Sequence, residues 1–159
     1  AQATPDNALK NRTVEVLAAA RMFLDHPVSG VGPGMFNKHY PQYSGMVGSV
    51  QASGGRESHN LFLGLAAETG LLGLLSFAAV VFVTLRDLLR TRRRMIESDP
   101  RSAFIATGFF LAIISYLVTG LALHFAFVRY FWLMMALAAS ATLVVSENLR
   151  NPRELQELA

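Results

Sequence analysis

The feature that most limits the fold is an apolar run from Asn60 to Leu85, interrupted mainly by Glu68 and two threonines. A helix needs about 20 predominantly apolar residues to cross a bilayer, and this run exceeds that. It is entered through Arg56-Glu57-Ser58-His59-Asn60. A charged, histidine-bearing threshold therefore leads directly into a membrane helix that contains an unneutralised carboxylate. A carboxylate at membrane depth costs roughly 2.5–3.5 kcal/mol on insertion scales, so Glu68 is expected to serve packing or function.

The remainder of the second half is equally apolar. Hydrophobic residues make up 52% of the 159-residue chain and charged residues only 16%, against about 25% charged in soluble chains. Spans are predicted at 60–85, 103–123 and 125–145. The stretch 103–145 amounts to about 64 Å of helix, enough for two crossings of a core roughly 30 Å thick. A tight turn is expected near Gly120–Arg129, and Ser98 or Asp99 should cap the second span with Pro100 at its first position. Arg86, Arg90, Arg92, Arg93, Arg94 and Arg101 cluster between the first two spans. The positive-inside rule assigns that basic loop, 86–102, to the cytoplasm and makes a nucleic-acid partner unnecessary. The tail 147–159 then faces inside, and residues 1–58 face outside with the turn that holds His124 and Arg129. Cysteine is absent, which excludes disulfides and thiol chemistry. The opening AQATPDNALK has neither an initiator Met nor a signal-peptide core. Something upstream must carry it across, so the chain is expected to be the C-terminal piece of a larger polytopic protein. The expected fold class is all-α integral membrane: three transmembrane helices plus an outer, periplasmic segment.

Within that outer segment, Val16, Ala20, Phe23 and Leu24 recur at helical spacing, as do Val14, Leu17 and Arg21. They predict an amphipathic helix over 12–25, capped by Asn11 or Thr13 and stopped before Pro27. It is too short to span, and should lie on the bilayer or pack on other helices. Next comes HPVSGVGPGMF, where Gly30, Gly32 and Gly34 alternate around Pro33. With no preceding strand and no GK[ST], a nucleotide loop is disfavoured. A tight re-entry turn remains, or a loop whose backbone N–H groups face an anion. Residues 37–55 read as an irregular polar loop, with His39 at the surface.

If the first span is helical from His59, one face carries His59, Ala66, Gly70, Gly73 and Phe77, suited to close helix approach. Glu68 then falls about half a turn out of phase with His59. Either the helix starts after His59, or the two find different partners. Arg12, Arg21, Arg56, His59, His124 and Arg129 all come out at one membrane surface. Arginines with a histidine suit a phosphate-bearing anion; anchoring to lipid head groups is the plainer use.

Two segments, DHPVSGVGPGMF (25–36, following Arg12 and its helix) and SHNLFLGLAAETGLLGLLSF (58–77), resemble the C-terminal part of the O-antigen ligase and polymerase family of bacterial membrane proteins. VRYFWLMMALA (128–138) is a weaker echo. The resemblance implies a glycosyltransferase that transfers or polymerises glycan from undecaprenyl diphosphate at the outer face of the inner membrane. The acceptor is a lipid, glycan or protein. By resemblance His59 is the essential histidine, Glu68 the acidic residue of the following helix, and Arg12 the arginine that binds the lipid diphosphate. Arg56 and Arg129 are expected beside them, on the strength of the outer basic cluster. Neutral histidine can act as the base, and arginines can stabilise a departing diphosphate. No cofactor and no metal is expected. The remaining helices of the full-length protein complete the site, so this piece alone should be inactive. A transporter of the bicarbonate type, or a non-catalytic scaffold, is the competing reading. The ionisable groups crowd one edge rather than the midplane, which favours surface chemistry.

Overall fold

The computed structural model describes residues 5–47, 60–121 and 128–150, with side chains over 12–47, 60–121 and 129–145. The described residues form five helices and no strand: α1 Pro5–Asp25, α2 Phe36–Met46, α3 Leu61–Met95, α4 Pro100–Gly120 and α5 Val128–Arg150. Helices α3 and α4 are long and apolar enough to cross a membrane, while α5 carries a shorter apolar stretch, Arg129–Val145.

Several boundaries depart from expectation for identifiable reasons. Helix α1 starts at Pro5, ahead of the expected cap, because proline suits the first helical position. It ends at Asp25 as expected. Helix α3 does not stop at Leu85. It runs through the arginines to Met95, so the basic loop is mostly helix. Leucine and arginine are good helix formers, and Leu88 and Met95 are buried and hold the extension down. Asp99 supplies the expected cap: its Oδ1 accepts the Ser102 N–H at 3.3 Å, and Pro100 opens α4.

The chain divides into two compact units, residues 1–78 with 118–126, and residues 79–117 with 127–159. In the second, buried residues recur at heptad spacing: Val81, Leu88 and Met95 on α3, Ala106 and Ile113 on α4, Phe131 and Ala138 on α5. That is the pattern of helices packed side by side. The Tyr116 and Phe131 rings stack with centroids 4.6 Å apart. Phe82, Phe104, Leu111, Leu133 and Leu143 point outward, as lipid-facing positions would.

In the first unit the core is Ala18, Ala19 and Met22 of α1, Phe36, Tyr40 and Tyr43 of α2, and Ala67 of α3. The buried face of α1 is therefore not the one its bulky residues mark: Leu17 and Leu24 are exposed. Two alanines in succession let the aromatic side chains of α2 approach closely, so small residues define the face. Helix α2 itself replaces the first part of the expected polar loop. Phe36, Tyr40 and Tyr43 stand at i, i+4 and i+7, and this spacing was the available signal. Pro41 inside the helix concealed it.

Candidate functional site

At Gly70 helix α3 opens. Its φ of 63° and ψ of −162° lie in a region essentially reserved for glycine. In an unbroken helix Leu71 N–H would bond Ala67 C=O and Leu72 N–H would bond Glu68 C=O. Instead, the Gly/Pro loop takes up all four groups. Val31 N–H donates to Ala67 O at 2.9 Å and Gly32 N–H to Glu68 O at 2.9 Å. Leu71 N–H donates to Pro27 O at 2.8 Å and Leu72 N–H to Val28 O at 3.2 Å. Two helical bonds are exchanged for four between segments. These four backbone groups are thereby satisfied, as a break inside an apolar helix requires.

The approach is as close as backbone allows. A Cβ on Gly30 would lie 2.3 Å from the carbonyl carbon of Glu68, and one on Gly70 would lie 2.3 Å from Val28 O. Gly30, Gly32 and Gly34 all have positive φ, as a tight turn demands. Of the two readings of the loop, a tight turn or backbone N–H groups facing an anion, both hold in part, and the anion is a carboxylate of the chain itself. Glu68 Oε2 accepts the Gly34 N–H at 3.0 Å, and Glu68 Oε1 accepts the Phe36 N–H at 3.1 Å. Phe36 is the first residue of α2, whose own N-cap, Met35, makes no side-chain cap. Glu68 thus caps α2 from another helix, where a carboxylate also suits the helix dipole.

The far end of α1 is tied to α2 as well. Arg21 reaches the Asp25 carboxylate at 3.5 Å. Burial, and then the charge of Asp25 and a hydrogen bond to it, push the Tyr43 hydroxyl above its ordinary pKa, with Arg21 opposing. Arg21 is therefore engaged with Asp25 rather than standing as one more open cation of the outer cluster. Glu15, 2% exposed on the packed face of α1, is a buried acid that the sequence pattern did not single out.

Helix α3 starts at Leu61, after His59, so the two residues need not share a helical phase. Asn60 caps it: its Oδ1 accepts the Phe62 and Leu63 N–H groups, both at 3.0 Å, and its Nδ2 donates to Leu121 O at 3.3 Å. A Cβ on Gly120 would meet Leu61 Cδ2 at 2.7 Å, so the end of α4 lies against the start of α3. The residue next to His59 in the chain is thus fixed from both sides. His59, Arg56 and His124 fall outside the described residues. Arg12 is exposed on α1 and Arg129 is exposed at the start of α5, each in its own unit. His39 is half-buried. Of the expected site, the structure brings together Gly30, Gly32, Gly34 and Glu68. Among the described residues no three His, Cys, Asp or Glu side chains converge as they would around a metal ion.

A family model described as O-antigen ligase matches residues 2–78. No curated protein and no solved structure matches the chain. The matched segment contains Arg12, the Gly/Pro loop, α2, His59, Glu68 and the break at Gly70. Residues 2–78, the stretch in which the loop is stitched into an opened helix, are thus similar to the O-antigen ligase family.

Proposed function

We propose that the chain is part of a glycosyltransferase that moves or polymerises glycan from undecaprenyl diphosphate at the outer face of the bacterial cytoplasmic membrane. In this reading α3, α4 and α5 cross the bilayer and residues 1–58 lie outside. The cation-rich end of α3 and the tail 147–159 lie inside. The observation that carries it is the coincidence of the family segment with the Glu68-held loop. Rigid, non-helical backbone at one edge of an apolar helix is how membrane proteins build sites.

The acceptor hydroxyl oxygen forms a bond to the anomeric carbon, and the bond from that carbon to the diphosphate breaks. The hydroxyl proton passes to His59, and the diphosphate leaves on its lipid. Arg12, with Arg56, stabilises the charge that develops on it. Glu68 is a positioning residue in this scheme: both its oxygens hold the backbone of the loop. His59→Ala in the full-length protein should abolish surface glycan on a gel at unchanged protein level; normal glycan would sink the base role. Arg12→Lys should lower glycan as well, since a bidentate fork is lost. Topology is readable from single cysteines because the chain has none: Gly45→Cys should label from outside, and Arg94→Cys should not.

A further inference from the structure

Beyond the outer-face chemistry, the second unit holds a groove of about 480 Å³ lined by Phe82, Leu85, Arg86, Leu89, Arg90, Arg93 and Phe110. Its volume lies in the range of about 300–1,000 Å³ usual for small-ligand sites. Its lining is segregated. Phe82, Leu85 and Phe110 make an apolar end within the membrane-length parts of α3 and α4. Arg86, Arg90 and Arg93 stand at i, i+4 and i+7, one above another along the same face of α3.

The positive charge of this file is barely compensated. Among the described residues Arg86 and Arg93 have no carboxylate partner, and Arg90 meets only Asp87, at 3.9 Å and half exposed. An apolar slot ending in three guanidinium groups complements a molecule with a fatty chain and an anionic head. Guanidinium forks match phosphate oxygens, and basic pockets at the ends of membrane helices take anionic lipids. We infer that this groove is a binding site for an anionic phospholipid, its phosphate on Arg86, Arg90 and Arg93 and an acyl chain along Phe82, Leu85 and Phe110. Such a lipid would fix the Arg-rich end of α3 at the membrane surface, at the opposite end of the helix from Glu68.

The test is native mass spectrometry of the full chain in neutral detergent, with phosphatidylglycerol or phosphatidylcholine of identical acyl chains as probes. Wild type should retain phosphatidylglycerol at least about tenfold better. Arg86→Gln with Arg93→Gln should cut that retention on the order of tenfold. Arg92→Gln with Arg94→Gln removes the same charge outside the groove and should change it less than about twofold. Leu85→Trp fills the slot without altering charge and should also reduce retention. Equal losses in the two arginine pairs, equal retention of the two lipids, or displacement of the lipid by inorganic phosphate would overturn the assignment.

Discussion

The two units solve the problem of a long apolar helix in opposite ways. From Val81 to Met95, α3 is an ordinary helix whose buried side chains recur at heptad spacing. From Leu61 to Ala78 the same helix is opened at Gly70, and a loop is bonded into the gap through its backbone. Side-chain packing tolerates substitution, because volume can be redistributed among neighbours. A glycine whose added Cβ would collide with the facing backbone does not. The first unit is therefore rigid and intolerant where it bears the family segment, and the second is a regular anchor. Under the proposed function, rigidity of that kind would hold a lipid-borne substrate in register.

Glycines break this contrast most sharply. Gly70→Ala and Gly30→Ala should each destabilise by about 3 kcal/mol or more, since forbidden φ and backbone collision add. Gly108→Ala in α4 meets nothing within 4 Å and should be neutral or stabilising by up to about 1 kcal/mol. Thermal unfolding in detergent reads both. Next in size, Ala18→Leu or Ala19→Leu should cost about 1–3 kcal/mol by forcing α2 away from α1, whereas Leu133→Ala on the outward face of α5 should shift the melting temperature little.

Smaller still is the response to pH, where the two units fail at opposite ends. Tyr43 has its folded pKa raised above 10.0. Its contribution is fully present below the unfolded value and is lost as pH rises through the folded one. Tyr43→Phe should remove that alkaline loss in a melting-temperature profile. Asp99 has its folded pKa held below 3.8 by hydrogen bonds from Ser102. Its contribution is present above the unfolded value and fades as pH falls through the folded one. Asp99→Ala should flatten the acid side and leave the alkaline side alone.

What the sequence made legible follows the same division. In the second unit, local rules found the elements but not all their ends: apolar length gave α3 and α4, and Asp99 with Pro100 marked the start of α4, while α3 runs past Leu85 to Met95. The Gly30, Gly32 and Gly34 turn was also legible, because positive φ is written in residue type. The break at Gly70 was not. A lone glycine in an apolar helix is ordinary, and only the loop lying against it reveals why the backbone opens. Helix α2 was missed for a related reason: its cap comes from Glu68, 32 residues away from Phe36. The buried face of α1 was misassigned because it is made largely of alanines, which carry little hydrophobic signal. Glu68 was legible as a residue that needs a reason, and the reason is non-local.

Whether Glu68 positions the loop or takes part in the chemistry can be read directly from amide exchange at Gly34 and Phe36 in wild type and Glu68→Ala. Each amide donates to a carboxylate oxygen, and a hydrogen bond to a charged group contributes about 1.5–3 kcal/mol. The expected result is that both amides exchange roughly ten- to a hundredfold faster in the variant, while Gly108 and its neighbours in α4 are unchanged. Unaltered exchange at Gly34 and Phe36, together with lost glycan transfer, would contradict the positioning role and return Glu68 to the reacting groups.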